Sequence, residues 1–416
     1  MQTNDLYQIK IYQNQPPAAP AAWPDWLQPK RTALVQQFHQ TLPQYQPTPL
    51  LSLPNLAAAG GVQQVLVKDE AKRFGLNAFK ALGSSWAMAC LLAERLDVQE
   101  AFQQNGLSAL QTEAAKQKLQ QQNIAFCTAT DGNHGRGVAW AANRLGQKAV
   151  VHMPKGSTQT RLENIAKEGA EVTIEELNYD DCVRLAAKEA DETEHGVIVQ
   201  DTAWDGYEEI PSWIMQGYGT MSSEAAEQLR ALEVNRPTHV FVQAGVGSLA
   251  SSVVGYFANL FPGCPPTFVV MEAGAADCLY QSAKAADGEP RIVGGDLETI
   301  MAGLACGEPN TIGWDILRNH VTAFVSCPDW VSAKGMRMLA APLAGDPAVT
   351  SGESGAVGMG VVSTIMEDPD YADLKEALGL DGSSRVLLFS TEGDTDPVRY
   401  REVVWGGAYP TEDIER

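Results

Sequence analysis

At 416 residues the chain is too long for one simple core, so two domains of roughly 100 to 250 residues are expected. A formal net charge of −21 excludes the clustered basic surface that a nucleic-acid partner requires and disfavours docking on anionic membrane. The hydrophobic fraction, 44%, is that of an ordinary globular protein.

The chain opens MQTNDLYQIKIYQNQ, without a basic stretch leading into an apolar run, so no signal peptide is expected and a cytoplasmic location is. QPPAAPAAWP (15–24) is too proline-rich for helix and reads as an extended arm. Apolar runs then alternate with helix-forming segments. Strands are expected at 62–70, 123–130, 148–154 and 170–176, and again at 196–201, 238–245, 267–274 and 384–391. Helices are expected at 84–96, 135–146, 157–169 and around 179–191, with a polar surface helix around 107–122. Strands that are apolar without alternation suit a parallel sheet covered on both faces. The fold class is therefore α/β, with two doubly wound domains and mainly parallel sheets. Residues 81–178 form a compact small α/β unit, and 1–80 with 179–416 build a larger one. In such folds ligands gather at the carboxyl ends of strands, so the cleft between the units is the expected site. The most apolar long stretch, 240–261, is broken by Gln243, glycines and serines, and reads as strand, turn and helix rather than a membrane span.

In RFGLNAFKALG (73–83), Lys80 sits among apolar residues inside a glycine-framed turn. A lysine on the rim of a buried segment can simply extend its ammonium to water. The alternative is a nucleophilic amine whose pKa is lowered by desolvation, ready to form a Schiff base. In TATDGNHGRG (128–137), Asp131, Asn133 and His134 crowd at one strand's carboxyl end. A Gly-Asn turn alone would be ordinary, but side chains with functions collect at such ends. QAGVGSLAS (243–251) follows a strand and opens a helix, where glycines and free N–H groups of a helix N-terminus can cradle a phosphate. That loop loosely fits a dinucleotide pattern, with Glu272 where a ribose-binding acid would stand, so an NAD-dependent dehydrogenase is a competing reading. It gives no work to Lys80 or Asn133. SRVLLFSTEGDTDP (384–397) ends a buried strand in Ser390 and Thr391, either of which can be a cap or bond a ligand nitrogen.

An amine, an asparagine, a glycine loop and a terminal hydroxyl together match the needs of pyridoxal 5'-phosphate. Lys80 takes the aldehyde and Asn133 the phenolic oxygen. The backbone of Gly245, Val246, Gly247 and Ser248 takes the phosphate, and Ser390 or Thr391 the ring nitrogen. The seven cysteines show no metal spacing and point to reduced thiols, with a Cys278–Cys306 or other single pair left open. His39, His152, His195, His239 and His320 are scattered, and no metal site is expected.

These motifs resemble the fold-type II pyridoxal-phosphate enzymes, the tryptophan synthase β-like group that includes threonine dehydratase and cysteine synthase. The resemblance runs from TPL (48–50) to STEGDTD (390–396). Two departures stand out. The lysine motif reads AFKALG where the family pattern is S-F-K-x-R-G, and Asp131 replaces the serine of S-G-N-H, which normally meets the substrate carboxylate. With VQDTAWDGYEEIPSWIMQGYGT (199–220) and GESGA (352–356), they resemble one branch, the diaminopropionate ammonia-lyases. That resemblance implies a carbon–nitrogen lyase performing α,β-elimination on D- and L-2,3-diaminopropionate to give pyruvate and ammonia. It implies two catalytic aspartates, which map onto Asp131 and Asp201, beside Lys80, and it implies a homodimer.

The chemistry agrees. Enantiomers present Cα–H to opposite faces, so two carboxylates from different strands, with Lys80, could serve as bases. An anionic pocket favours an ammonium-bearing substrate. A hydroxyl at the ring nitrogen leaves the pyridine largely unprotonated, which favours prompt loss of a β-substituent. A serine or threonine dehydratase of the same fold is the alternative within this chemistry.

Overall fold

The computed structural model describes residues 8–15 and 24–411. The arm expected at 15–24 lies outside them except for its two end residues, as does the start of the segment read for a leader.

Eleven strands among these residues form two sheets. We number them β1 (Lys10–Gln13), β2 (Leu50–Ser52), β3 (Gln64–Asp69), β4 (Ala125–Ala129), β5 (Lys148–Met153), β6 (Glu171–Ile174), β7 (Gly196–Ile198), β8 (His239–Gln243), β9 (Thr267–Ala273), β10 (Ala323–Cys327) and β11 (Arg385–Ser390). The larger sheet runs β1-β10-β9-β8-β11-β3-β2, a parallel block of five closed on each side by a short antiparallel strand. The smaller sheet, β6-β5-β4-β7, is parallel throughout. Every residue of β4, β8 and β10 is buried, as continuous apolar runs covered on both faces require.

Each expected strand is present, within a few residues at its ends. The edges β1 and β2 and the interior strand β10 were not anticipated. The edge strands are short and only half-buried, so no run of apolar side chains marks them. The smaller sheet does not end at 178: helix Tyr179–Glu192 packs on it and β7 pairs with β4, so the unit extends to Ile198.

The helix Glu209–Ala231, 23 residues long, ties the units together. It crosses helix Ala81–Arg95 where both present glycine. A Cβ on Gly217 would lie 2.4 Å from the carbonyl oxygen of Leu82, and one on Gly83 would lie 2.5 Å from the Tyr218 ring. On the other side, a Cβ on Gly137 of helix Asn133–Arg144 would lie about 3 Å from the backbone of Lys80 and Ala81. The backbone at Lys80 is thus fixed by close approaches that only glycine permits.

Candidate active site

Lys80 caps the start of helix Ala81–Arg95 and points into a cavity that Asp131, Asn133, His134, Asp201 and Thr391 also line. Gly245, Val246, Gly247 and Ser248 complete that wall. Of the residues expected to act, Ser390 alone turns away. Its hydroxyl bonds Ser351 Oγ at 2.8 Å behind the cavity. Thr391 Oγ1 instead accepts from Gln243 Nε2 at 2.8 Å, which leaves its own O–H free to donate.

Lys80 Nζ donates to Asp201 Oδ2 in a short charged contact and lies 5.8 Å from the centre of the Tyr218 ring. Burial acts to lower the lysine pKa, but the Asp201 carboxylate, with Asp131 behind it, outweighs burial and raises it. This corrects the expectation of an amine depressed by desolvation, since the partner carboxylate lies 121 residues away in sequence. Burial likewise works to raise Asp201, yet Lys80 and the Tyr218 hydroxyl, 3.2 Å away, hold its carboxylate below the usual range.

His134 Nε2 lies 2.8 Å from the carbonyl of Val199, so the proton sits on Nε2 and Nδ1 is left as a bare acceptor 3.9 Å from Asp201. Burial lowers the histidine pKa and keeps the ring neutral. Asn133 donates to Glu392 Oε2, whose other oxygen accepts the backbone N–H of Ser354 at 2.9 Å. Glu392, next to Thr391 in STEGDTDP, and Tyr218 were not singled out from sequence. Both lie inside stretches quoted for the resemblance, Glu392 in STEGDTD and Tyr218 in 199–220, but no spacing marks either as a site residue.

The loop after β8 fits a phosphate. Gly247 has φ +103°, and helix Ser248–Leu260 begins there, presenting first-turn N–H groups that have no partner within the helix. A Cβ on Gly245 would come within 3.1 Å of Cys306 Sγ, so the loop packs closely against the 302–306 segment. Ser248 Oγ is held by the Asp201 carbonyl and by Asn310 Nδ2 at 2.7 Å, so the backbone N–H, rather than the hydroxyl, remains available.

The dinucleotide alternative fails at Glu272. That side chain is fully buried and its carboxylate caps helix Cys278–Ala285, taking the N–H groups of Leu279 at 2.8 Å and Tyr280 at 2.6 Å. It cannot also hold a ribose. All seven cysteines are free thiols, so Cys278 and Cys306 are not bridged. A separate cavity of ≈ 470 Å³, walled by Trp26, Phe38, Trp86, Phe102 and Trp213, shares no wall residue with the catalytic one.

Comparison with known proteins decides the family. A family model described as pyridoxal-phosphate dependent enzyme matches residues 41–391. The diaminopropionate ammonia-lyase of Salmonella typhimurium is 52% identical over 374 residues, covering 90% of this chain and 91% of that protein. The chain belongs to the diaminopropionate ammonia-lyase family. The Escherichia coli K12 member is 50% identical over 377 residues. The crystal structure of an Escherichia coli family member in complex with D-serine superposes with a TM-score of 0.90 at 46% identity, covering 97% of this chain and 99% of that one. Another, in complex with an aminoacrylate-PLP azomethine reaction intermediate, gives a TM-score of 0.87. Against threonine deaminase isoform 2 of Solanum lycopersicum identity falls to 17%, and the likeness is one of fold. Membership of this family makes the chain a fold-type II, pyridoxal-phosphate-dependent ammonia-lyase.

Proposed function

We propose that the chain eliminates ammonia from D- and L-2,3-diaminopropionate, releasing pyruvate and a second ammonia. The observation that carries this is the convergence of Lys80, Asp131 and Asp201 on one cavity beside the Gly245–Ser248 loop. Pyridoxal phosphate, when bound, supplies the electron sink that acidifies the substrate Cα–H. Lys80 holds the cofactor, and Asp201, already in contact with Nζ, holds or accepts the proton that the amine exchanges. Asp131 and Asp201 come from the ends of different strands, and each serves the Cα–H of one enantiomer. Asn133, fixed by Glu392, takes the phenolic oxygen, and the first turn of helix Ser248–Leu260 takes the phosphate. Thr391 rather than Ser390 donates to the ring nitrogen. Tyr218 keeps Asp201 ionised.

We further propose that the active cleft separates a small domain, 81 to about 200, from a large one made of the remainder. A cytoplasmic homodimer is also our proposal; no helix among the described residues is long and apolar enough to cross a membrane.

The test is direct. Purified protein is mixed with each enantiomer of diaminopropionate and pyruvate is measured. Release from both is expected. Turnover of serine or threonine at rates rivalling diaminopropionate would favour the dehydratase instead.

A further inference from the structure

A larger cavity, of ≈ 520 Å³, opens beside the catalytic one, and Asp131 and Tyr179 belong to the walls of both. It lies between the two units and forms a vestibule. On its wall the acids, among them Asp131, Glu176, Asp181, Asp296, Glu298 and Asp396, outnumber the bases Lys155, Arg161 and Arg399. An acidic surface alone says little, but one of its side chains is unusual. Glu353 heads helix Glu353–Glu367 and is 2% exposed, and its Oε1 has no hydrogen-bond partner among the described residues. A buried carboxylate oxygen left without a donor is costly unless some ligand supplies one. The next residue, Ser354, lines the catalytic cavity, so Glu353 stands at the junction of the two spaces.

We propose that Glu353 is the subsite for the β-ammonium group of the substrate, and so selects a diamino acid over a hydroxy amino acid. This rests on the diaminopropionate reading above. The substrate's α-amine is committed to the cofactor and its carboxylate is anionic, which leaves the β-ammonium as the one cation seeking a partner. A carboxylate keeps that nitrogen protonated. When the Cβ–N bond breaks with its electron pair going to nitrogen, the group leaves as neutral ammonia and needs no further proton. The Cα proton goes to Asp131 or Asp201.

The charged groups around Glu353 fit this use. Glu392 and Asp396 face it from the segment after β11, and Arg161 faces it from helix Gln159–Ala166. Arg161 lies 3.7 Å from Asp131 Oδ2, so its charge is shared among several acids and does not neutralise Glu353 alone. Burial first, then Glu392, push the Glu353 carboxyl up to about 7. A bound cation would favour its ionised form.

The experiment compares wild type and Glu353→Gln holoenzyme on both enantiomers of diaminopropionate and on serine, whose β-group is neutral. Serine affinity is read from the cofactor's visible band, which also reports cofactor content. The KM for diaminopropionate is expected to rise about 10- to 100-fold, the loss of one charged hydrogen bond, with serine affinity changed less than about twofold. In wild type, KM for diaminopropionate should rise as pH falls through about 7, while the variant lacks that dependence. Glu353→Asp should regain part of the lost affinity.

Equal losses on serine and diaminopropionate, or none on diaminopropionate, would overturn the assignment. If Glu353→Gln fails to hold cofactor, the wild-type profile decides. The same pH dependence of KM for serine as for diaminopropionate overturns the proposal, and a dependence confined to the diamine upholds it. Absence of pyruvate from wild type on either enantiomer would instead strike the reaction itself.

Discussion

Two groups of buried charges lie in this molecule, and they are built in opposite ways. In the first, Arg73 spans two carboxylates, meeting both oxygens of Glu70 at 2.9 Å and both of Glu224 at 2.8 Å. Lys68 adds a 2.7 Å contact to Glu224 and another to the carbonyl of Thr48. Two cations balance two acids, and all four residues are fully buried. In the second group, around Lys80, acids outnumber bases. His134 Nδ1 and Glu353 Oε1 have no hydrogen-bond partners among the described residues, and Arg161 comes no nearer than 3.7 Å to the Asp131 carboxylate. A closed network stiffens the fold, while an open one has bonding capacity to spend on a ligand. Burial works to raise the carboxyl pKa in both places. Arg73 and Lys68 overcome it and hold Glu224 at about 2, whereas Glu353, facing another acid, is pushed up to about 7.

The sharpest test of this contrast is Lys80→Ala. The variant should release no measurable pyruvate and lose the visible band of the lysine-bound cofactor. A variant that kept both activity and colour would remove Lys80 from the chemistry.

Next come Asp131→Asn and Asp201→Asn. Each should slow one enantiomer by about 10²- to 10⁴-fold and the other by much less, read as kcat/KM on separate D and L substrates. Matching losses on both enantiomers would sink the division of labour between the two faces.

The closed network should respond in stability rather than turnover. Arg73→Met leaves buried Glu70 without a cation and Glu224 with Lys68 alone, and should cost about 3–5 kcal/mol in chemical denaturation, with kcat per folded molecule little changed. Its pH signature has a definite sign. Glu224 has a folded pKa of about 2 against an ordinary 4.5, so its stabilisation is complete above 4.5 and is lost as pH falls toward 2. Glu353 behaves in reverse: its folded pKa lies above the ordinary value, so it costs stability as pH rises from 4.5 to about 7. Glu353→Gln should therefore melt higher than wild type at pH 8 despite binding substrate more weakly. A lower melting temperature there would place Glu353 in the closed class.

The contrast also explains what could be read from sequence. The lysine, the glycine loop and the DGNHG turn were legible because each is a local pattern at a strand's end. The parallel sheet was legible because strands covered on both faces leave continuous apolar runs. What pairs with what was not legible. Asp201 reverses the pKa direction expected for Lys80, and Glu224 reaches Lys68 from 156 residues away. No local pattern reports such contacts. The helix Glu209–Ala231 is buried through its middle, where glycine, serine and threonine stand among the apolar residues, and no helix was expected there from sequence.

The finest distinction concerns Ser390 and Thr391, adjacent hydroxyls that sequence could not separate. Side chains alternate along a strand, so one of two neighbours must face the cavity and the other must not. The structure turns Ser390 toward Ser351 and Thr391 toward Gln243 and the cavity. Because Gln243 already donates to Thr391 Oγ1, the threonine proton is directed elsewhere, where a ring nitrogen can accept it. Thr391→Val keeps the shape and removes that donor, and should lower kcat about fivefold, the value of one neutral hydrogen bond, with a displaced cofactor absorption band. Ser390→Ala should leave kcat within about twofold and the band in place. If the serine variant shifts the band and the valine variant does not, the alternation at the end of this strand has been assigned to the wrong face.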